Sequence, residues 1–309
     1  MLVNMGGPES RSELKTFLSR MFRDPHILPY RKPVRDLLSW IISTARYRKS
    51  WEKYELIGGT PLAGSTVRLV NALQSVLGEC YVVGYAFSYS NPDIENALMN
   101  FKNAGIGDIT VIPLYPQASH TTTSSVKADV LRISGKDSFF DVKVSGEFYA
   151  LQGFVGYWIH LIQDHLAKNH IVSPTLVFSA HSIPKYHVAN GDSYASAVVD
   201  GAAVIATALS LPFEVCFQSG MRRGTWIGPE MKEHLTILRE EGVDNLVLIP
   251  ISFVQENLET LYDLDRDILP YAKKTLGFSQ VSRVNLPEVD PILVEMLAEM
   301  VTGNKEIGS

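Results

Sequence analysis

The chain has 309 residues, 46% apolar and 20% charged, which is enough to bury two cores and gives no reason to expect disorder. A net charge of −5 argues against a general nucleic-acid binder, and no apolar run approaches the roughly 20 residues that span a bilayer. Cys80 and Cys216 form neither a C-x-x-C pair nor a disulfide framework, and the opening MLVNMGGPES carries no basic leader, so a reducing cytoplasm is the expected location.

In chain order, MLVNMGGP predicts a first strand ending in a Gly-Pro turn. The next long pattern, ILPYRKPVRDLLSWIISTARYRKSWEKY, mixes basic and large apolar residues. Leu37, Leu38, Trp40, Ile41 and Ile42 stand beside Arg31, Lys32 and Arg35. Such a helix either covers a sheet with an ordinary amphipathic face or presents an exposed lip to a cleft or a membrane surface. From Tyr81 the chain predicts a strand, a polar loop, a Pro-led helix, a Gly turn and a second strand closed by Ile-Pro. The same order recurs from Phe213. Pro92 and Pro229 lie 137 positions apart, as do Pro113 and Pro250, and TLVFSAHSIP echoes the opening strand. Two α/β halves of related build account for this, with coincidence of βα periodicity as the other explanation. The expected divisions are 1–150, 151–287 and a closing helix and tail at 288–309, with parallel sheets and a cleft between the halves.

The loops that follow the strands hold the candidates for chemistry. His181 ends the strand TLVFSA, where an imidazole suits proton transfer or metal ligation, although a lone histidine is more often structural. His120 and His187 sit in polar loops and are weaker candidates. In SFVQENLETLYDLDRD, Glu259, Asp263 and Asp267 recur every four residues and would stack on one helix face. Between Gln255 and Leu269 the only basic residue is Arg266, an imbalance that favours a path for a divalent cation over a solvated face. No H-E-x-x-H or His/Cys cluster marks a tightly held metal. Arg222, Arg223 and Trp226, with Arg46, Tyr54, Tyr85 and Tyr89, fit a large flat anionic ligand, core aromatics and solvated arginines being the alternative. No glycine-rich phosphate loop follows a strand, so a nucleotide has little support.

Read together, the blocks LVNMGGPES, FLSRMFRDPHIL, YELIGGTPL, PLYPQASHTTTSS, LVFSAHSIP, NGDSY, FQSGMRRGTWIGP and LIPISFVQENLETLYDLD resemble the ferrochelatase family from Leu2 to about Pro287. The resemblance implies two Rossmann-like halves, a porphyrin cleft and a hydrophobic lip, and an enzyme that inserts Fe²⁺ into a porphyrin for haem synthesis. It places the catalytic histidine and glutamate on His181 and Glu259, both also counted as metal residues with Asp263 and Asp267. It places porphyrin contacts on Met5, Arg46, Tyr54, Thr60 and Trp226. Met5 favours protoporphyrin IX, with coproporphyrin III the other substrate. Three departures stand out: Gln255, Glu256 and Asn257 replace the usual Ser-Asp-His, Ser88 stands where arginine is common, and GMRRG lacks the common Val-Gly-Pro. The expected partners are porphyrin and ferrous iron, with peripheral membrane contact, no nucleic acid, no tightly bound cofactor, no iron–sulfur cluster, and a monomeric chain. A cobalt or sirohydrochlorin chelatase, or a two-lobed small-molecule-binding module, are the competing readings.

Overall fold

A computed structural model describes residues 1–220 and 225–303, so the expected contributions of Arg222 and Arg223 lie outside the described residues. Two compact units make up the chain. One holds Met1–Glu147 together with the chain from Leu293 onward, and the other is Phe148–Ile292. The segment 288–309, read from sequence as one closing piece, is thus divided between them, its helix running Pro291–Thr302.

The first unit runs β1 (Leu2–Asn4), α1 (Arg11–Phe22), α2 (Lys32–Leu56), α3 (Leu62–Leu77), β2 (Tyr85–Phe87), α4 (Ile94–Asn103), β3 (Asp108–Pro113), α5 (Thr123–Ser134) and β4 (Asp141–Val144). The strands form one parallel sheet in the order β2-β1-β3-β4. β1, Leu-Val-Asn, is wholly buried, as expected for an inner strand of a parallel sheet. Val3, Val111, Leu98 and Phe101 share a core with Val126 and Val130 of α5. Asp93 starts α4 by accepting the Asn96 N–H at 2.9 Å.

α2 is turned inside out relative to an ordinary amphipathic helix. Its buried residues are Ser39, Ser43 and Tyr54, and Ser39 Oγ donates to the Ser19 carbonyl of α1 at 2.9 Å. The small serines let α1 and α2 pack closely, while Leu37 and Trp40 remain 58% and 59% exposed and Val34 and Ile41 are exposed with them. Of the two sequence readings for this helix, the exposed apolar face is the one realised. Among the described residues no helix is long and apolar enough to cross a membrane.

The second unit runs α6 (Gln152–Lys168), β5 (Thr175–His181), α7 (Lys185–Ala189), α8 (Tyr194–Leu209), β6 (Phe213–Gln218), α9 (Met231–Glu240), β7 (Asn245–Ile249), two π-helical stretches (Glu259–Ile268 and Tyr271–Leu276) and β8 (Gln280–Arg283); α10 (Pro291–Thr302) comes next in the chain and is counted with the first unit from Leu293. Its parallel sheet has the order β6-β5-β7-β8, the same arrangement as in the first unit. Pro113 ends β3 and Pro250 follows β7, and those strands hold matching places in their sheets. The echo extends to single bonds: Phe87 N–H donates to the Pro92 carbonyl at 2.8 Å, and Phe217 N–H to that of Pro229 at 2.9 Å. Glu230 then caps α9 by accepting the Glu233 N–H at 3.0 Å, as Asp93 caps α4. The chain is an α/β protein of two similar halves, each built on a four-stranded parallel sheet.

Candidate active site

In the second unit the carboxyl edge of the sheet gathers the chemistry. His181 is the last residue of β5 and is half-buried, paired across the ladder with Gln218 at the end of β6. Its Nδ1 lies 2.7 Å from the Ser182 carbonyl oxygen. A carbonyl can only accept, so Nδ1 carries the proton and Nε2 keeps its lone pair free for a proton or a metal. Tyr194 closes the floor near this residue, its hydroxyl donating to Ser252 Oγ at 3.2 Å; burial drives the phenol well above the ordinary tyrosine pKa. Trp226 pairs with Pro184 in an isolated bridge, and Ile227 N–H donates to the Ile183 carbonyl at 3.0 Å. The loop after β6 is thereby stitched to the loop after β5, which brings Trp226 beside the segment that His181 begins.

The acidic row lies in the π-helix Glu259–Ile268, where backbone bonds run i→i+5. This corrects the expected α-helical stacking: in the wider turn, residues four apart stop short of a full turn where in an α-helix they overshoot it. The apparent lack of basic partners is corrected as well, because cations come from elements distant in sequence. Lys232 Nζ donates to Asp267 Oδ1 at 2.7 Å, and Arg283 grips Asp265 with two bonds of 2.7 and 2.8 Å. Asp263 Oδ2 accepts the hydroxyl of Ser219 at 2.5 Å, tying the row to the residue after β6 and so to the edge that carries His181. Ser219 sits at φ +64, a left-handed conformation costly for a residue with a Cβ and held here by the surrounding contacts.

Glu259 opens this helix and is half-buried. The turn before it is fixed by a reciprocal pair: Thr260 N–H donates to Asn257 Oδ1 at 3.0 Å and Asn257 N–H donates to Thr260 Oγ1 at 2.9 Å. Asn257, standing where a histidine was expected, therefore acts as a cap. Glu256 Oε1 accepts from both Arg283 Nη1 and Leu286 N–H at 2.9 Å.

In the first unit, Met5 follows β1 and is half-buried, its N–H donating to Asn4 Oδ1 at 2.7 Å. Gly6 has φ +81, and a Cβ there would collide with Ser90 and Phe87; one on Gly7 would stand 2.6 Å from Thr60 Oγ1. The two glycines let the loop after β1 press against Thr60, so Met5 and Thr60 belong to one constellation. Arg46 is exposed, its guanidinium 5.9 Å from the Phe22 ring. Tyr54 is buried and stacks on Trp51 at 6.4 Å. Tyr89, named as a stacking candidate, is a core residue: its hydroxyl donates to Asp24 at 2.7 Å, and burial followed by the Asp24 charge holds its phenol far above the ordinary pKa.

Three residues escaped the sequence reading. Asp24 is buried and accepts from Tyr89, from the Ser125 hydroxyl and from the His26 N–H at 2.7 Å, joining the segment after α1 to the loop after β2 and the start of α5. Arg283 closes β8, and an arginine at the carboxyl end of a strand was the available signal. Burial works against its charged form, but the Asp265 hydrogen bonds and the Glu256 charge outweigh that, and its pKa stands above the ordinary arginine value. Lys232 had no signal beyond its place on α9.

Comparison with known proteins agrees with this geometry. The family model described as Ferrochelatase matches residues 1–305. A ferrochelatase from Aquifex aeolicus (strain VF5) is 33% identical over 305 residues, covering 97% of each chain. One from Prochlorococcus marinus (strain MIT 9211) is 32% identical over 98% of this chain and 81% of its own. Among solved structures, SirB from Bacillus subtilis with Fe3+ superposes with a TM-score of 0.58 at 13% identity, covering 78% of this chain and 91% of that one. The structure of CbiX, described as the terminal enzyme for biosynthesis of sirohaem in denitrifying bacteria, gives 0.54 at 13% identity over 99% and 98%. These two likenesses concern the fold. With a family match over nearly its whole length and a sheet edge bearing a histidine whose Nδ1 is tied to a backbone carbonyl, the chain belongs to the ferrochelatase family and is an enzyme that inserts a metal ion into a porphyrin.

Proposed function

We propose that the metal is Fe²⁺ and the porphyrin protoporphyrin IX, so that the product is haem. Insertion replaces two pyrrole N–H protons by the metal, and both protons must leave by a route that starts on the protein. The observation that carries the reading is the His181 tautomer: with Nδ1–H spent on the Ser182 carbonyl, Nε2 is the acceptor for a pyrrole proton. Glu259 assists on the same path as a second proton acceptor. Asp263 and Asp267 are hard oxygen ligands that deliver the cation and release it, since neither is part of a closed ligand cage. Met5, Thr60, Arg46, Tyr54 and Trp226 bind the macrocycle, Met5 pressing on the ring so that its nitrogens turn toward the metal, a distortion of roughly 1–5 kcal/mol.

The substrate is a large amphiphile, and the outward apolar residues of α2 beside Arg31, Lys32 and Arg35 fit peripheral contact of a cytoplasmic enzyme with an anionic membrane. Flotation with anionic vesicles tests this: the parent should float at low salt, and a Trp40→Ser, Ile41→Ser variant should not.

The substrate itself is tested by supplying protoporphyrin IX and coproporphyrin III together with Fe²⁺ under anaerobic conditions and weighing the products by mass spectrometry. Haem in excess supports the proposal. Iron coproporphyrin in excess replaces the porphyrin assignment while keeping the chemistry, and no metallation of either porphyrin overturns it.

A further inference from the structure

We infer that Arg283 is a positioning residue for metal insertion: by holding Glu256 and Asp265 to the end of β8, it sets the placement of Glu259 between them. This rests on the reading of Glu259 as a proton acceptor. The guanidinium is almost fully enclosed, its side chain 2% exposed, and all three of its nitrogens are used. Nε and Nη2 take both oxygens of Asp265 at 2.7 and 2.8 Å, while Nη1 reaches Glu256 Oε1 at 2.9 Å and the Val284 carbonyl at 3.1 Å. Glu256 stands three residues before Glu259 and Asp265 six after it, so one rigid fork fastens the chain on both sides of the proposed proton acceptor. The strand end supplies the rigidity. Arg283 is paired with Leu248 in the β7–β8 ladder, and Leu286 N–H adds a second bond to the same Glu256 oxygen at 2.9 Å.

The chemistry of the fork explains why arginine is needed. A π-helix is the least favoured of the regular helices and needs outside contacts to persist. A lysine supplies one point charge and cannot meet both carboxylates in one plane, whereas the guanidinium fixes two directions at once. Residues that orient a reacting group in this way typically change activity by about 10–100-fold without touching substrate.

The test measures kcat, the KM for porphyrin and thermal unfolding for Arg283→Lys, Asp265→Asn and Glu259→Gln. For Arg283→Lys, kcat per folded molecule should fall about tenfold or more while porphyrin KM stays within about twofold. Asp265→Asn keeps one arm of the fork and should lose about threefold in kcat, which keeps the inference open to refutation even where the lysine variant does not fold. A fourth variant, Arg283→Met with Asp265→Leu and Glu256→Gln, removes the paired charges together; it should regain thermal stability over Arg283→Lys without regaining kcat. Recovery of both would make the cluster structural and overturn the inference, as would parental kcat in either Arg283→Lys or Asp265→Asn. If Glu259→Gln keeps parental kcat, the reading of Glu259 fails and the inference falls with it. If Glu259→Gln is impaired and Arg283→Lys is not, the positioning role alone is lost.

Discussion

Met5 and His181 occupy the same place in the two halves of the molecule. Asn4 pairs with Phe87 and Ala180 with Phe217, and those phenylalanines make the matching bonds to Pro92 and Pro229. On the other side of the central strand, Leu2 pairs with Ile112 and Phe178 with Ile249, positions 137 residues apart like the prolines that follow them. Either ladder makes Met5 and His181 the equivalent residues just past or at the carboxyl edge. One half thus offers a soft, apolar thioether where the other offers a base. The difference teaches how one scaffold, used twice, divides its labour. The strand end fixes where a side chain stands, and in the proposed mechanism the side chain decides whether that place binds a ring or moves a proton.

The sharpest way to break this comparison is to make the two positions alike. His181→Met leaves methionine at both edges and removes the free imidazole nitrogen. Metallation should fall by about 10²-fold or more, while porphyrin affinity by fluorescence quenching stays within several-fold of the parent. Near-parental metallation would show that His181 is not the base and that the asymmetry of the two edges carries no proton chemistry.

The comparison continues two residues beyond the matching phenylalanines, where Tyr89 stands in one half and Ser219 in the other. Each donates its hydroxyl to a carboxylate, Tyr89 to the buried Asp24 and Ser219 to Asp263 of the acidic row. In the first half the carboxylate is buried and accepts three hydrogen bonds; in the second it is tied to the sheet edge that carries His181. Asp24→Ala strands the Tyr89 and Ser125 hydroxyls and the His26 N–H, and should cost roughly 2–4 kcal/mol in urea unfolding. Asp24→Asn, which keeps acceptor oxygen, should cost less. Equal small losses in both variants would mean that the buried network does not tie these loops together.

Much of this was legible in the sequence. The alternation of strand and helix, the 137-residue repeat and the edge position of His181 all follow from local patterns and turn residues. Two things were hidden for a physical reason. The pitch of the acidic helix depends on outside contacts, since the segment GluThrLeuTyrAsp in isolation has ordinary α-helical spacing. The partners of its carboxylates, Lys232, Ser219 and Arg283, lie 18 to 44 residues away from them, and only the parallel topology brings them together. The inward serines of α2 escaped as well, because a helix that buries small polar residues has the same periodicity as one that buries apolar ones.

A smaller effect concerns acid. His165 on α6 bonds Ser282 Oγ through Nε2 at 2.8 Å, and burial, then the nearby Arg283 charge, lower its pKa from the ordinary 6.5, with Asp164 opposing. Its native form therefore resists a proton that the unfolded chain accepts. Stability from this group is complete above about pH 6.5 and is lost as pH falls through the lowered folded value. His165→Gln should flatten the fall in the urea midpoint between pH 7.5 and 5.5. An unchanged slope would mean that His165 does not contribute to the acid sensitivity of the second unit.

The smallest expected effect lies where the halves diverge most, the element after the third strand. In the first unit it is α5, which turns Val126 and Val130 to the core; in the second it is the acidic π-helix, which turns Leu264 and Ile268 there. The core sides match and the outward sides do not. Asp267 is met by Lys232, whereas the matching places in the first unit, with the core residues and the helix caps aligned, hold Asp129 and Glu95. The Lys232–Asp267 pair is largely open to solvent, so it is worth at most about 1 kcal/mol. Its ammonium nevertheless occupies the outer acid of the proposed metal route and repels an incoming cation. Lys232→Gln frees that carboxylate and should lower the metal concentration for half-maximal rate about twofold with kcat unchanged. Asp267→Asn should raise that concentration by a similar factor. The check is the initial rate of Zn²⁺ insertion across a metal titration at two ionic strengths, because both shifts should shrink in high salt. If neither substitution moves the metal dependence, Asp267 is an ordinary surface acid, and the delivery route ends at Asp263.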